Sequence, residues 1–192
     1  MTEMTIDSLF AALQDSENSP YGIEPVSELE HALQCAELAD AECGDDELTI
    51  AALLHDIGRV AVPQEQVSDT LAPDAMENIA PGARGHSIVG AELLEQILPE
   101  RVVYCIRQHA QAKRYLCTVE PGYFDTITGG SVHTLKLQGG TMSDAQRKDF
   151  ESHPWFKDAL QVRRWDDRAK TPGLETRPLE HWRPMALSLV QH

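Results

Sequence analysis

Four histidines and two aspartates are the residues of this chain whose types and spacing could bind metal. The stretch AALLHDIGRV, residues 51–60, places His55 and Asp56 side by side after four small or apolar residues. A buried polar group is costly unless a partner satisfies it, and a metal ion is one such partner. Imidazole and carboxylate together favour iron, manganese or zinc over calcium or magnesium. The candidate ligands are His31, His55, Asp56, His86, His109 and Asp166.

Each candidate also has a simpler explanation when it is considered alone. A single buried histidine is usually a hydrogen-bonded core residue. The pair Asp166 and Asp167 could be ordinary charge on a helix surface. The doublet of His55 and Asp56 in an apolar run is more specific, with metal binding and a structural role about equally supported. The whole ordered set is difficult to explain without a metal, and we therefore predict a metal site.

The segments that carry these residues are predicted to be helices, because aromatic content is only 6% and Ala and Leu are frequent. Apolar spacing predicts helices over 6–13, 26–41, 48–57, 86–97 and 101–117, and one or two helices over 144–170. Gly58 is expected to end the 48–57 helix. Segments 15–25 and 61–85 are predicted loops, and 118–141 should be the least helical part, a lobe covering a site. Helices of a bundle can each project one ligand inward.

Composition limits the functional classes that fit this chain. The net charge of −15 argues against a nucleic-acid-binding protein. Residues 1–100 hold 21 acidic side chains and two basic ones, whereas residues 101–192 hold 10 acidic and 14 basic. We interpret most of this asymmetry as an acidic solvated face. In the alternative interpretation, the second half supplies cations for an anionic ligand and the first half supplies carboxylates for a metal or an ammonium group.

Length and segment character predict a single domain over 1–192, with a core at about 21–170 and a tail at 171–192 that wraps the surface. No apolar run approaches the roughly 20 residues that span a bilayer. The first residues contain acidic side chains and no Lys or Arg, which is unlike a signal peptide. Four cysteines without a CxxC pair suit reduced thiols. We therefore expect a cytoplasmic protein without a membrane contact or an evident obligate protein partner.

The order of His31, the His55–Asp56 doublet and Asp166 resembles the HD-domain superfamily, whose all-helical, metal-dependent members are named for that doublet. Most members are phosphohydrolases. The resemblance implies an all-α fold, a helical bundle around the metal site.

Two further segments, GHSIVGAELL and RQHAQAKRYL, add His86 and His109 and complete a set of six ligands for two metals. This extended set resembles the oxygenase branch of the superfamily, which includes inositol oxygenase and the enzymes that cleave 1-hydroxy-2-aminoethylphosphonates. RRWDDRAK resembles the last ligand segment of that branch, in which the first aspartate after the aromatic residue binds metal. The resemblance therefore implies Asp166, and not Asp167, as the ligand. The implied cofactor is a dinuclear, mixed-valent Fe(II)/Fe(III) centre with O2 as co-substrate.

The chain is most similar to the phosphonate enzymes, over about residues 21–170. Their patterns match YGIEPVSELEH, AKRYL and LQGGTMS here. The implied substrates are 2-amino-1-hydroxyethylphosphonate, giving glycine and phosphate, or its N-trimethylated analogue, giving glycine betaine and phosphate. The aminophosphonate enzyme carries His where this chain has Arg59. This position would lie near the amine end of the substrate or near the O2-binding side of the site. That difference favours the trimethylated substrate.

The resemblance also assigns residues to the substrate. Lys113 lies four residues after His109, and Arg163 lies three before Asp166, so each shares a helix face with a ligand. Both match the phosphonate-binding cations of the family, although spacing alone favours ordinary surface charges. The matching hydroxyl donors are Ser131 and Thr134.

Tyr21 and Glu24 match a catalytic lid over the open coordination site; without the family, Tyr21 could equally be a loop anchor. Glu24 could neutralise an ammonium group. A quaternary ammonium needs aromatic faces as well, because it has no N–H to donate. Tyr21 could supply one face, and the other candidates are Tyr115, Tyr123, Phe124 and Trp165.

Two alternatives use the same ligands differently. An HD phosphohydrolase acting on a nucleotide or a small phosphoester would use the metals to activate water. It accounts for the histidines, aspartates and basic residues, but not for Tyr21 and Glu24. A non-catalytic interaction module of the same fold would tend to lose ligands, whereas this chain retains six.

Overall fold

The structure, a computed structural model, describes residues 4–63, 66–67 and 85–191. In these ranges the helices are the regular structure, and an isolated bridge joins Pro20 and Ser27. No helix of the described part of the chain is both long and apolar enough to cross a bilayer. The helices are α1 Ile6–Asp15, α2 Glu28–Cys43, α3 Asp46–Leu54, α4 Ile57–Val60, α5 His86–Leu94, α6 Glu100–Val119, α7 Tyr123–Thr126, α8 Gly129–Leu137, α9 Asp144–Ser152, α10 Phe156–Arg168 and α11 Arg183–Ser188.

The long helix α6 is central and contacts α3, α5 and α10, while α2 packs on α3 and α10. Their facing sides form the main core, in which Ile50, Leu54 and Ile106 are fully buried. Local signals set the helix ends. Ser27 and Glu30 form a capping box at the start of α2, and Gly44 ends that helix in the left-handed conformation. The all-α prediction is confirmed.

The predicted helix over 48–57 is wrong at its end. Helix α3 stops at Leu54, and His55 and Asp56 form a turn before the short helix α4. Gly58 lies inside α4 and does not end a helix. A Cβ at Gly58 would lie 2.1 Å from the carbonyl oxygen of His86 and 2.7 Å from the nitrogen of Gly90. Gly58 therefore lets the backbones of α4 and α5 touch.

The expectation that 118–141 is the least helical part is also wrong, because the segment contains α7 and α8. The Thr128 side chain accepts a hydrogen bond from the Ser131 amide and so begins α8 despite two glycines at its start. Segment 144–170 forms two helices, α9 and α10, as predicted. The predicted loop over 61–85 lies mostly outside the described residues.

The tail after residue 170 does more than wrap the surface. It forms a 3-10 turn, Leu179–His181, followed by α11. Leu179, Trp182 and Ala186 are buried, and all three belong to the main core cluster. The surface prediction is therefore wrong for these residues, because the tail contributes apolar side chains to the same core as α1 and α3. The four cysteines are free, as expected.

Candidate active site

Five helical regions deliver the six predicted ligands to one buried place. Helices α2, α5, α6 and α10 each supply one, and the turn between α3 and α4 supplies two. Since that turn departs from helical geometry, two adjacent residues can face the same centre. Each ligand is at most 8% exposed. The six are His31, His55, Asp56, His86, His109 and Asp166.

Asp56 lies between two histidine pairs and directs one oxygen toward each. Its Oδ2 is 3.3 Å from Nε2 of His55 and 3.9 Å from Nε2 of His31. Its Oδ1 is 3.0 Å from Nε2 of His86 and 3.4 Å from Nε2 of His109. Asp56 could therefore offer one oxygen to a metal ion beside each histidine pair.

Asp166 adds a second carboxylate on the side of His31 and His55. Its Oδ1 is 3.4 Å from Nε2 of His31, and its Oδ2 is 4.0 Å from Nε2 of His55. A ring nitrogen of His109 also lies within 4.8 Å of a carboxylate oxygen of Asp166. The neighbouring Asp167 points elsewhere, because it pairs with Arg163 and accepts a hydrogen bond from Tyr123.

Backbone carbonyls fix the orientation of three imidazole rings. A carbonyl can only accept, so the Nδ1 atom facing it carries the proton and Nε2 presents a lone pair to the centre. The Nε2 atoms of His31 and His55 are 3.2 Å apart. Two lone pairs at that distance repel unless a proton or a metal ion lies between them, so the donor set can hold a metal. The pairs are His31 with Ala169, His55 with Ala52 and His109 with Ile106, each at 2.8 Å.

Burial keeps two rings neutral. It lowers the pKa of His31 to about 3 and that of His109 to about 4, because a buried imidazolium loses its hydration. Burial also acts to lower the pKa of His55, but the adjacent Asp56 carboxylate outweighs it and the pKa rises. Neutral imidazole is the form that binds metal.

Both carboxylates are held ionised. Burial acts to raise the pKa of Asp166, but Arg163 and then Lys170 outweigh it, and the pKa lies well below its usual range. Burial likewise opposes ionisation of Asp56, and the nearby imidazoles again lower its pKa. Four imidazoles and two ionised carboxylates form a donor set suited to a transition metal pair.

A cavity of about 90 Å³ opens beside these ligands. The structure brings every predicted substrate residue to its wall, and four of the ligands also line it. The substrate residues are Tyr21, Glu24, Arg59, Lys113, Ser131, Thr134 and Arg163.

Two buried cations form one wall of the cavity. Lys113 is 2% exposed, and its Nζ donates to Oγ1 of Thr134 at 2.6 Å. Arg163 is 3% exposed and donates to Oδ2 of Asp166 at 2.7 Å and to Oγ of Ser131 at 3.2 Å. Arg163 is also paired with Asp167. The Lys113 and Arg163 side chains both carry positive charge and N–H donors at the cavity wall, which suits a ligand with oxygen acceptors. Neither residue is the surface charge that spacing alone favoured.

Tyr21 covers the first histidine pair. Its ring stacks on that of His31, with 3.9 Å between centroids and planes 16° apart. Its hydroxyl donates to Oδ1 of Asp166 at 3.4 Å. The Arg59 guanidinium carbon and the Lys170 ammonium lie 5.3 Å and 5.8 Å from the Tyr21 ring centroid. Burial raises the pKa of Tyr21, so the hydroxyl keeps its proton.

Glu24 and Arg59 also line the cavity. Glu24 lies against Gly130, since a Cβ there would be 3.0 Å from Oε1 of Glu24. The Nε of Arg59 donates to Glu28 at 3.0 Å. Burial raises the pKa of Glu28 to about 7, against the opposing effect of Arg59.

The other predicted aromatic residues are absent from the described lining of the cavity. Tyr115 donates to Glu151, and the Trp165 indole donates to Glu42, each at 2.9 Å. Tyr123 binds Asp167, and Phe124 is half exposed on the surface.

Sequence reasoning missed Lys170 and Gln138, which both line the cavity. The Nζ of Lys170 lies 3.4 Å from Oδ1 of Asp166. Its spacing of four residues from Asp166 was a usable signal. Gln138 belongs to the LQGG segment, which carried the resemblance without a role for the glutamine.

Comparison with known proteins identifies the family of this chain. The HD domain family model matches residues 29–138, which hold all the candidate ligands except Asp166. The [1-hydroxy-2-(trimethylamino)ethyl]phosphonate dioxygenase (glycine-betaine-forming) of Leisingera caerulea is 38% identical over 167 residues, covering 87% of this chain and 81% of the relative. Hydroxymethylphosphonate dioxygenase of Gimesia maris is 38% identical over 188 residues, covering 97% of this chain and 89% of the relative. The chain thus belongs to the HD-domain family and is an oxygenase of the branch that these relatives represent.

Proposed function

We propose that this protein is a diiron dioxygenase that uses O2 to cleave the C–P bond of a small 1-hydroxyphosphonate and releases phosphate. The observation that carries the proposal is the position of Asp56, with one oxygen toward each histidine pair, beside a cavity that contains two buried cations. The substrate expected from the sequence is (R)-1-hydroxy-2-(trimethylamino)ethylphosphonate, which would give glycine betaine, or its free-amine analogue, which would give glycine. We also propose a cytoplasmic location.

In this proposal the ligands divide into two sets. His31, His55 and Asp166 would hold one iron, His86 and His109 would hold the other, and Asp56 would bridge them. When bound, the iron pair supplies Lewis acidity toward the substrate oxygens and the redox chemistry for O2. The chain contributes ligand orientation through the carbonyls behind the rings, and a site largely closed to water.

The phosphonate would bind to the cationic wall of the cavity. Lys113 and Arg163 offer charge, and Ser131 and Thr134 offer hydroxyl groups at positions that the cations already hold through hydrogen bonds. This fixes the C–P bond next to the metal ligands. Arg163 also contacts the predicted ligand Asp166, so the same guanidinium would contact both the substrate and a metal ligand.

Tyr21 and Glu24 would cover the open side of the metal pair. The Tyr21 hydroxyl, which keeps its proton, occupies the space beside Asp166. A substrate that chelates a metal would have to displace this ring. The carboxylate of Glu24 would then face the substituent on C2, where it can pair with an amine or a trimethylammonium group.

Hydroxymethylphosphonate is a second candidate substrate, favoured by the surroundings of Tyr21. Tyr21 is the aromatic residue in the described lining, and Arg59 and Lys170 already lie against its ring. A trimethylammonium group would share this region with two cations, which is unfavourable at short range. A substrate without an amine avoids that repulsion.

Steady-state turnover by the iron-loaded protein tests the proposal. We expect phosphate release with matched O2 consumption from the trimethylated substrate, its free-amine analogue and hydroxymethylphosphonate, with the highest kcat/KM for the trimethylated compound. A preference for hydroxymethylphosphonate would select the second candidate. Phosphate release from a nucleotide or phosphoester without O2 would instead identify a phosphohydrolase. Absence of bound metal would contradict both enzymes and support an interaction module.

A further inference from the structure

The thiol of Cys35 lies beside the predicted metal ligands His31 and His55. It comes one turn after His31 on α2, so the two side chains leave the same face of the helix. Cys35 is fully buried, and its Sγ is 3.8 Å from Nε2 of His31. The Sγ and one ring nitrogen of each histidine all lie within 4.8 Å of one another. A sulfur atom therefore shares the pocket that the two imidazoles form.

The distances in this cluster fit a tetrahedral metal ion. Zinc forms bonds of about 2.0 Å to imidazole nitrogen and about 2.3 Å to thiolate sulfur. At tetrahedral angles, two such nitrogens lie about 3.3 Å apart, and a nitrogen and a sulfur lie about 3.5 Å apart. The observed separations are 3.2 Å between Nε2 of His31 and Nε2 of His55, and 3.8 Å between Nε2 of His31 and Sγ of Cys35. An ion held by the two rings can therefore contact the sulfur as well.

The types of donor favour zinc or cadmium over iron. Thiolate is a soft ligand that selects soft or borderline ions, and Zn²⁺ generally binds to nitrogen and sulfur donors more tightly than Fe(II) does. A carboxylate oxygen is available as a fourth ligand, because Oδ1 of Asp166 is 3.4 Å from Nε2 of His31. The pocket therefore offers a thiophilic ion one donor more than the two imidazoles and the carboxylate provide.

We propose that His31, Cys35 and His55 form a thiophilic metal site, in which two imidazole nitrogens and a thiolate bind Zn²⁺ or Cd²⁺. Coordination releases the thiol proton to solvent and changes no oxidation state. Because His31 and His55 are also the proposed ligands of one iron, the thiophilic ion and that iron exclude each other, and zinc acts as an inhibitor. The competition with iron rests on the proposed function, whereas the sulfur coordination does not.

Cadmium binding to the metal-free protein, kept reduced by a reagent without thiols, tests the site. Thiolate coordination of Cd²⁺ produces a charge-transfer absorption in the ultraviolet. We expect this absorption to saturate at one Cd²⁺ per chain in the wild type and to be absent from Cys35→Ser. Cys43→Ser is the matched control, because Cys43 is an exposed thiol of the same helix, and it should keep the absorption. No absorption in the wild type, or its persistence in Cys35→Ser, would overturn the proposal.

X-ray absorption by zinc-loaded Cys43→Ser decides the matter if a low melting temperature shows that Cys35→Ser does not fold. This variant keeps Cys35 and lacks the exposed thiol of α2. One sulfur at about 2.3 Å among the zinc ligands supports the site. A shell that contains only nitrogen and oxygen refutes it.

Iron release separates this inference from the proposed function. When zinc is titrated into the iron-loaded protein, Cys35→Ser should need at least about 10-fold more zinc than the wild type to release iron, because loss of even an outer contact has that effect on metal affinity. Equal zinc requirements would refute the competition. Cadmium binding through Cys35 without turnover of any phosphonate would refute the proposed function alone. Turnover of a 1-hydroxyphosphonate without a sulfur ligand for cadmium or zinc would refute this inference alone.

Discussion

Asp166 and Asp167 are adjacent and chemically identical, yet the fold gives them different partners. Asp166 is 2% exposed and faces His31 and His55. Asp167 faces away from the histidines and pairs with Arg163 and Tyr123. Adjacent residues on a helix point about 100° apart, which is why only one of the two can reach the centre.

Replacing each aspartate by alanine should separate these roles. We expect Asp166→Ala to lose bound iron and essentially all activity, because one carboxylate ligand and one partner of the buried Arg163 disappear together. Asp167→Ala should keep its iron and most of its activity, with a modest rise in KM through Arg163. Metal analysis and steady-state kinetics measure both effects. Iron loss confined to Asp167→Ala would show that the carboxylates are assigned the wrong way round.

For individual residues, the sequence predicted which side chains belong to the site, but it did not predict the side-chain contacts that each one makes. The six candidate ligands could be predicted because histidine and aspartate are unusual in apolar helices. The family resemblance then indicated which of them belong to one site. Lys170 was missed although it lies four residues after a ligand, as Lys113 does, because only Lys113 also matched a family pattern. Asp167 was interpreted as surface charge, because spacing does not reveal that the buried Arg163 contacts both aspartates.

Among the elements, the break between α3 and α4 matters most for the site. Residues 48–57 read as one apolar helix because the apolar run is continuous across the doublet. The break arises from tertiary packing, in which Gly58 lets α4 touch α5 at His86 and Gly90. Local sequence does not encode that contact, whereas the starts of α2 and α8 carry capping residues, Ser27 and Thr128, that are visible in the sequence. The helix α8 was nevertheless not predicted.

Gly58→Ala should therefore be strongly destabilising. The added Cβ would overlap the backbone of α5, which cannot move without displacing His86. We expect a loss of about 3 kcal/mol or more in the free energy of unfolding, at or beyond the upper end of overpacking effects. Urea denaturation of the metal-loaded protein measures it.

Gly129→Ala, at the first residue of α8, is the matched control, because its Cβ would make an ordinary 3.7 Å contact with the side chain of Ile23. It should be neutral or slightly stabilising. Equal stability of the two variants would contradict the close packing of α4 on α5.

Over the whole molecule, the end of the chain returns to its first ligand. The Ala169 carbonyl accepts from Nδ1 of His31. Two residues later, the Thr171 carbonyl accepts from Nε2 of Gln34 at 2.8 Å, and the Thr171 amide donates to its Oε1 at 3.0 Å. The sequence predicted a tail on the surface. Its prolines interrupt the apolar spacing, so the residues that are buried in the core do not form a recognisable helical pattern.

Gln34→Leu should weaken metal binding, since the tail would no longer hold the Ala169 carbonyl against His31. Loss of such an outer contact typically costs 10–100-fold in metal affinity, and we expect about 10-fold. Competition with a chelator measures the dissociation constant.

Arg177→Ala is the control, because Arg177 joins the tail to Glu37 and Asp40 away from the ligands. It should lower thermal stability and leave metal affinity unchanged. An equal loss of affinity in both variants would mean that the tail acts only through general stability.

The chain order of the ligands bears on how a newly made polypeptide acquires metal. Asp56, His86 and His109 are all present once α6 has been synthesised, whereas the other pocket also needs Asp166 and the carbonyl of Ala169, close to the end of the chain. We expect the first ion to be captured by the middle of the chain during translation. If two ions bind as proposed, the second has to wait until Asp166 and Ala169 have also left the ribosome.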